Sequence, residues 1–216
     1  MSGKVTVLGS GIMGHGISLV ASWSGYEVCM RDINEEILEK GMNNIENSLG
    51  KFVSSDKISE SESEEILDRI STTTDLEEAA TFGSVIIEAI PEEMDLKKDT
   101  YEKLDEMAPE ETIFASNTSQ LSITEMATAT DRPDRFIGMH FFNPPQLMKL
   151  VEIIRGIETS DETYETIVEL AEDFGKETVT CDDSQGFITT RLITVLMQEA
   201  IALVEEGVAD PEDIDK

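Results

Sequence analysis

The sequence contains few of the residues that build disulfide scaffolds, metal sites and nucleic-acid interfaces. Its 216 residues include two cysteines, two histidines and 16 lysines and arginines. Cys29 and Cys181 lie far apart in the chain, so we expect free thiols rather than a disulfide framework. With His15 and His140 as the only histidines and no cysteine cluster, we expect no structural zinc site.

Long apolar runs are also missing. No stretch of about 18 apolar residues could form a membrane span. The N-terminus leads directly into a predicted strand, which leaves no room for a signal peptide. We therefore expect a cytoplasmic protein without a membrane partner.

Acidic side chains, in contrast, are abundant. The 46 aspartates and glutamates outnumber the basic residues so strongly that the formal net charge is −30. Such a protein repels nucleic acids and anionic membranes. Because the acids are spread along the chain, and because the Debye length falls to about 3 Å at 1 M salt, we predict adaptation to a very salty cytoplasm. The alternative, an acidic interaction surface, would predict clustered charge.

Short apolar runs alternate with amphipathic segments along most of the chain. The pattern predicts strands at 5–9, 27–32, 70–74, 84–89, 112–116, 136–140, 150–154 and 178–181. Helices are predicted near 12–24, 34–50, 64–69, 75–81, 93–107, 121–127 and 161–174, with Asn34 and Asp75 as N-caps. This alternation predicts an α/β fold with a Rossmann-type, doubly wound and mostly parallel sheet.

The composition changes near residue 184. We therefore predict one domain over residues 1–183 and the start of a second over residues 184–216. A long helix over 188–206 is apolar on more than one side, so it needs packing partners. Either this helix packs into an oligomer, or the sequence ends before its partner helices do; we favour the second.

The first 32 residues form the most specific motif of the chain. A predicted strand is followed by a G-x-G-x-x-G turn, a helix, and a second strand that ends at Asp32. The turn consists of Gly9, Ser10, Gly11, Ile12, Met13 and Gly14. This arrangement is typical of a dinucleotide-binding unit, in which glycines allow the backbone to approach a pyrophosphate. The alternative is a turn that needs glycine only for its backbone geometry.

The position and charge of Asp32 predict which dinucleotide the protein prefers. It lies 18 residues after Gly14, where an acid can accept hydrogen bonds from the adenosine ribose. A 2′-phosphate would be repelled there, so we predict NAD rather than NADP. Arg31 could meet such a phosphate, but alternation along a strand predicts that it faces away from Asp32.

Two further segments contain candidate site residues. Residues 115–121 form a polar cluster at the end of a strand, where open α/β sheets bind ligands; the alternative is a helix N-cap.

In the second segment, His140 ends a strand and precedes Phe-Phe-Asn-Pro-Pro. Glu152 lies in an apolar run, and because burying an unpaired carboxylate is costly, it needs a partner. His140 and Arg155 are the candidates, and a His–Glu pair would orient the imidazole and raise its basicity.

Together these segments resemble the L-3-hydroxyacyl-CoA dehydrogenase family, which includes 3-hydroxybutyryl-CoA dehydrogenases. The resemblance covers essentially the whole chain, and its most specific part is His-Phe-Phe-Asn-Pro followed by Glu152. It implies an NAD-binding domain followed by the first helix of an all-helical domain that dimerises and helps to bind substrate. A homodimer is therefore expected once that second domain is complete.

The resemblance also implies a role for each matching residue. His140 would be the catalytic base, Glu152 would orient it, and Ser119 would hydrogen-bond the C3 oxygen of the substrate. The matching cofactor contacts are Gly9, Ser10, Gly11, Ile12, Met13, Gly14, Asp32, Glu92, Lys97 and Asn143. Ser48 matches a position that touches CoA, and Thr190 stands where the family commonly has an asparagine near the acyl group.

The implied function is NAD-dependent, reversible oxidation of an acyl-CoA substrate, L-3-hydroxyacyl-CoA, to 3-ketoacyl-CoA, with short chains favoured. It would serve fatty-acid or hydroxybutyrate metabolism. Two alternatives remain at this point. One is a different NAD-dependent hydroxyacid dehydrogenase, a class that generally uses a lysine as its acid/base. The other is an NAD-binding module without turnover.

Overall fold

Eight strands form one sheet in the computed structural model, which describes residues 3–216. The strands are β1 (Lys4–Leu8), β2 (Glu27–Arg31), β3 (Ile70–Thr73), β4 (Val85–Glu88), β5 (Ile113–Ser116), β6 (Phe136–Phe141), β7 (Leu150–Arg155) and β8 (Glu177–Asp182). Their order is β3-β2-β1-β4-β5-β6-β7-β8. All neighbours are parallel except β6 and β7, which are antiparallel.

Helices connect the strands and cover both faces of the sheet. They are α1 (Gly14–Trp23), α2 (Glu35–Ser54), α3 (Glu60–Asp68), α4 (Leu76–Phe82), α5 (Met94–Met107), α6 (Ile123–Ala127), α7 (Asp161–Asp173), α8 (Thr189–Glu205) and α9 (Pro211–Asp215). Side chains of β4 and β5 are buried throughout, as expected for parallel strands covered on both sides. The doubly wound α/β prediction is therefore confirmed.

Most predicted elements are present, with differences at their ends. The N-caps at Asn34 and Asp75 are confirmed, since both side chains accept hydrogen bonds from the first turn of their helices. The predicted start of α3 at residue 64 is wrong. The helix begins at Glu60 because Ser59 and Glu62 form a capping box, in which each side chain binds the other's backbone N–H.

The topology determines where a site can form. Because β1, β4, β5 and β6 are parallel, their carboxyl ends meet at one edge of the sheet. In open α/β sheets ligands bind outside this edge. The residues that end these strands, or follow them directly, therefore lie close together.

The helix α8 leaves its apolar side chains exposed, and none of its residues is buried. The exposed ones include Leu192, Ile193, Val195, Leu196, Met197 and Ile201. Across residues 3–216, no helix is both long and apolar enough to span a membrane.

Candidate functional site

The glycine-rich turn has the geometry that a bound pyrophosphate requires. Gly9 has a φ of +93°, and a Cβ built there would lie 2.6 Å from the carbonyl oxygen of Ala89. A Cβ on Gly14 would lie 1.7 Å from the carbonyl oxygen of Gly9. A Cβ on Gly11 would meet nothing within 4 Å. A side chain at Gly9 or Gly14 would therefore clash with the protein's own backbone, whereas the space in front of the Gly11 backbone is open.

Asp32 is held in place beside this turn. Its Oδ2 accepts hydrogen bonds from the backbone N–H of Ser10 at 2.7 Å and from the Ser10 hydroxyl at 3.0 Å. Its Oδ1 accepts from the N–H of Ile33 at 2.7 Å. The carboxylate lines a cavity of about 510 Å³, which is largely apolar and also includes Gly11 and Ile90. Such a cavity fits an adenosine whose ribose meets Asp32.

Arg31 lines the same cavity as Asp32, although alternation along a strand predicts opposite faces for the two side chains. Asp32 lies one residue beyond the end of β2, where the alternation of a strand no longer applies. The Arg31 Nε donates a hydrogen bond to the carbonyl oxygen of Thr74 at 3.3 Å. Arg31 therefore lies beside the cavity that Asp32 lines, with its guanidinium bound to Thr74.

His140 and Glu152 form a buried pair across β6 and β7. They are direct partners in the antiparallel register, so their side chains lie on the same face. His140 Nδ1 lies 2.6 Å from Glu152 Oε2, and the two residues are 5% and 0% exposed. Arg155, the other candidate partner, binds Asp161 instead.

Glu152 has further hydrogen-bond donors at the start of α8. Its Oε1 accepts from the backbone N–H groups of Ile188 and Thr189 at 3.2 and 2.9 Å. Its Oε2 accepts from the Thr189 hydroxyl at 3.0 Å. Burial opposes ionisation of Glu152, but the hydrogen bonds from His140 and Thr189 outweigh it and hold the pKa of Glu152 below its usual value. The carboxylate is therefore charged, and nothing in the sequence pattern had indicated Thr189.

Aromatic rings enclose the imidazole. The ring centres of Phe142 and Phe187 lie 4.7 and 5.9 Å from that of His140. Phe187 is 4% exposed and has a φ of +50°, next to Gly186 with a φ of +76°. The chain thus makes its turn into α8 directly against the histidine.

In the polar cluster at the end of β5, Ser116 and Asn117 form hydrogen bonds inside the protein, whereas Ser119 is exposed. The Ser116 hydroxyl donates to Glu88, and Asn117 Oδ1 accepts from the N–H of Phe141 at 2.8 Å. Ser119 is exposed, and its backbone N–H donates to Glu92 Oε1 at 2.9 Å. The N-cap of α6 is Ser122, so the alternative of a simple N-cap run does not account for the cluster.

Glu92 and Lys97 belong to a network of ion pairs and hydrogen bonds that contacts the backbone of Ser119. Lys97 Nζ lies 2.5 Å from Glu88 Oε1 and 3.4 Å from Glu92 Oε2, and its side chain is 1% exposed. Glu92 Oε1 also accepts from the Thr118 hydroxyl at 2.6 Å. Lys97 therefore lies behind the partly exposed Glu92, rather than at the open surface of the site. Glu88 was missed, although an acid that ends an apolar strand nine residues before a lysine was a usable signal.

The loop after β6 carries Asn143 at the surface of the site. Asn143 is exposed and joined to Pro144 by a cis peptide bond. Lys176 Nζ fixes the loop by donating to the carbonyl oxygens of Pro145 and Met148 at 2.6 and 2.9 Å. A Cβ on Gly16 would lie 2.8 Å from Pro145 Cδ, so this loop packs directly on α1.

Ser48 and Thr190 lie at two other margins of the site. The Ser48 hydroxyl accepts a hydrogen bond of 3.4 Å from Gln146 Nε2, which connects α2 to the loop after β6. Thr190 lines a cavity of about 410 Å³ together with Gln120 and Arg191. Gln120, which lines this cavity, follows Ser119 in the chain.

The cysteines have no part in this arrangement. Cys29 is buried and Cys181 half-buried, and both are free thiols, as predicted. Burial raises the pKa of each thiol to about 11. In the part of the chain that the structure describes, no group of three or more histidine, cysteine, aspartate and glutamate side chains could hold a metal ion.

Comparison with known proteins agrees with this geometry. Residues 4–184 match the family described as "3-hydroxyacyl-CoA dehydrogenase, NAD binding domain", and residues 186–216 match the C-terminal domain of the same enzymes. A probable 3-hydroxybutyryl-CoA dehydrogenase of Deinococcus radiodurans is 46% identical over 212 residues, which is 98% of this chain and 76% of that protein. The mitochondrial hydroxyacyl-coenzyme A dehydrogenase of Rattus norvegicus is 45% identical over 216 residues, or 98% of this chain and 69% of that one.

A solved structure is equally similar in fold. The crystal structure of (S)-3-hydroxybutyryl-CoA dehydrogenase from Ralstonia eutropha superposes with a TM-score of 0.94 at 38% identity, and covers 97% of this chain and 74% of that one. The dinucleotide-binding turn and these matches identify the cofactor as NAD. The chain therefore belongs to the 3-hydroxyacyl-CoA dehydrogenase family.

Proposed function

We propose that this protein oxidises L-3-hydroxyacyl-CoA reversibly to 3-ketoacyl-CoA with NAD, with the 3-hydroxybutyryl-CoA and acetoacetyl-CoA pair as its preferred substrates. The observation that supports this most strongly is the buried His140–Glu152 pair at the edge of the sheet where the glycine-rich turn also lies. A base at this place can remove a proton from an alcohol held against the nicotinamide.

The residues around the turn fit NAD. Backbone N–H groups at the start of α1 would hold the pyrophosphate, and Asp32 would accept hydrogen bonds from the ribose. Asn143 and Glu92 would contact the nicotinamide half, with Lys97 acting through Glu92. When bound, NAD accepts the hydride that leaves C3 of the substrate.

His140 performs the proton transfer in this proposal. Because Nδ1 is engaged by Glu152, Nε2 is the nitrogen that faces the substrate and accepts the proton of the 3-hydroxyl group. The O–H electron pair then forms the new C=O bond as the hydride leaves C3. Glu152 fixes the tautomer of the ring and stabilises the imidazolium. In the reverse direction, His140 returns the proton to the carbonyl oxygen.

Ser119 and the margins of the site would bind the rest of the substrate. The exposed Ser119 hydroxyl can donate to the C3 oxygen, and its position is fixed by the bond from its backbone to Glu92. Ser48 would contact CoA from α2, and Thr190 would contact the acyl portion. Threonine has a hydroxyl donor and acceptor, but a shorter reach than the asparagine common in the family.

The exposed apolar side chains of α8 need packing partners. The relatives above are longer than this chain, and the family has further helices in its C-terminal domain. We propose that α8 packs against apolar helices of this kind and that the protein is a homodimer. Sedimentation of the protein in high salt would test this, and a monomer would contradict it.

The decisive experiment follows the loss of NADH absorbance with acetoacetyl-CoA in a few molar KCl, for the wild type and for His140→Ala and His140→Gln. We expect turnover by the wild type, and a fall in kcat of about 10² to 10⁴ in both variants, the usual contribution of a positioned acid/base. NADH binding, measured by fluorescence, should change little, which serves as the control for folding.

Two results would contradict the proposal. Full activity of His140→Gln would favour a dehydrogenase that uses another acid/base. NADH binding by the wild type without any turnover of acyl-CoA substrates would instead indicate a cofactor-binding module.

A further inference from the structure

We propose that Thr189 is a positioning residue that adjusts the basicity of His140 through its hydrogen bond to Glu152. This inference rests on the proposed function of His140. It concerns the one side-chain donor, besides His140 itself, that reaches the Glu152 carboxylate among residues 3–216.

The two contacts converge on the same oxygen atom. Glu152 Oε2 accepts from His140 Nδ1 at 2.6 Å and from the Thr189 hydroxyl at 3.0 Å, while Oε1 accepts only backbone N–H groups. A carboxylate offers about four acceptor positions, and these four donors occupy them all. Thr189 therefore competes directly with the imidazole for the negative charge on Oε2.

The competition has a definite direction. A hydrogen bond to a carboxylate stabilises its charged form, as the lowered pKa of Glu152 indicates. Charge that is neutralised by the Thr189 hydroxyl is no longer available to stabilise an imidazolium at His140. The hydroxyl thus favours the neutral ring, which is the form that can accept the substrate's proton.

Few other charges face the pair. On β8, Cys181 interacts electrostatically with Glu152, but the thiol, with a pKa of about 11, is neutral at physiological pH. Asp182 and Asp183 lie near Cys181, and Asp183 is bound to Ser122 and Thr124. The neighbouring rings of Phe142 and Phe187, with centres 4.7 and 5.9 Å from that of the imidazole, are uncharged.

Arg191 on α8 is exposed and lines the neighbouring cavity. The hydroxyl of Thr189 is therefore the contact whose removal changes the pair most selectively.

Thr189→Val removes the hydroxyl and keeps the shape of the side chain. Both backbone N–H donors to Oε1 remain, so the anchoring of α8 is retained. Thr189→Ser restores a hydroxyl and is the matched control. Thr189→Ala provides a second variant without the hydroxyl, in case valine disturbs the packing.

The measurement is an NMR titration of the histidine ring resonances in high salt. The chain has only two histidines, and His140→Ala assigns the signals. We expect the midpoint of the His140 signal to move to higher pH by roughly half a unit in Thr189→Val and Thr189→Ala. Thr189→Ser should stay close to the wild type. The acid limb of the kcat/KM profile for 3-hydroxybutyryl-CoA oxidation should move in the same direction.

Two outcomes would overturn the inference. One is an unchanged midpoint in both variants without the hydroxyl. The other is an equal shift in Thr189→Ser, which would indicate packing rather than the hydrogen bond. Because the titration needs no turnover, its result is separate from the test of the proposed activity.

Discussion

Lys97 and Glu88 form an ion pair of 2.5 Å in which neither side chain is more than 1% exposed to solvent. Glu88 also accepts hydrogen bonds from the N–H of Ile90 and from the hydroxyls of Ser116 and Tyr101. Lys97 further contacts Glu92. The pair therefore links β4 to the residues that hold Ser119 in place.

Replacing Lys97 by methionine should destabilise the fold strongly. The change leaves Glu88 buried without its counter-ion, which costs about 3–5 kcal/mol when one partner of a buried pair is removed. Denaturant unfolding in high salt measures this loss. Glu88→Gln combined with Lys97→Met should recover part of the stability, because no buried charge then remains.

The neighbouring lysine offers a matched control. Lys98 contacts Glu125 at 3.7 Å, and both side chains are partly exposed. Lys98→Met should change the free energy of unfolding by no more than about 0.5 kcal/mol. Equal losses at positions 97 and 98 would contradict the importance of the buried pair.

Replacing Gly14 by alanine should impair folding, whereas replacing Gly11 by alanine should weaken cofactor binding. A Cβ on Gly14 would clash with the carbonyl oxygen of Gly9 at 1.7 Å, so Gly14→Ala should not fold properly. A Cβ on Gly11 meets no protein atom within 4 Å. We therefore expect Gly11→Ala to unfold at the wild-type temperature, but to bind NADH at least about tenfold more weakly, a loss of about 1.4 kcal/mol.

Gly50→Ala is the control for the added methyl group. Gly50 is exposed near the C-terminal end of α2, and a Cβ there has open space. Its NADH affinity, measured by fluorescence titration, should equal that of the wild type. Unchanged NADH binding by Gly11→Ala would mean that the pyrophosphate does not pass over this glycine.

Asp32 should control the choice between NADH and NADPH. Asp32→Ala removes the acceptors for the ribose hydroxyls and the charge that repels a 2′-phosphate. Hydrogen bonds to a charged group contribute about 1.5–3 kcal/mol, so NADH should bind about tenfold more weakly or worse. NADPH should lose less affinity, since Arg31 lies at the same cavity.

The double variant tests the part played by Arg31. In Arg31→Ala combined with Asp32→Ala, the relative gain for NADPH should be smaller than in Asp32→Ala alone, because the repulsion by Asp32 is still removed but the guanidinium that could attract the phosphate is lost. Affinities for both cofactors, measured on the same preparations, give the ratio. If Asp32→Ala kept the wild-type ratio, Asp32 would not meet the ribose.

The sequence predicted much of the fold because its signals are local. An apolar run bounded by turns indicates a strand even when the strands that pair with it are unknown. The spacing from Gly14 to Asp32 is likewise contained in one strand–helix–strand unit. The contact between His140 and Glu152 is different. It depends on the antiparallel pairing of β6 and β7 and on their register, which only the assembled sheet determines.

Other site features had weaker signals or none. Glu88 and Lys97 are nine residues apart on different elements, so their contact follows from how α5 packs on β4. Thr189 reaches Glu152 because the chain turns at Gly186 and Phe187, where φ is positive at both residues. A positive φ at phenylalanine is uncommon, and the sequence alone does not reveal it.

The charge of −30 should make stability depend on salt. At 0.01 M salt the Debye length is about 30 Å, so the exposed carboxylates repel one another over long distances. At 1 M salt the Debye length is only about 3 Å, and the repulsion is largely screened. We expect the unfolding temperature to rise steeply with KCl concentration. Neutralising exposed acids on α3 and α5, as in Glu64→Gln combined with Glu102→Gln and Glu106→Gln, should lower the KCl concentration needed for folding.

A comparison of salt with sucrose separates screening from general stabilisation of compact states. Sucrose stabilises compact states because it is excluded from the protein surface, but it does not screen charge, whereas KCl does. If screening dominates, the neutralised variant should respond less to KCl than the wild type does, and equally to sucrose. Full stability of the wild type in dilute buffer would contradict salt adaptation, and the acidic residues would then need another explanation.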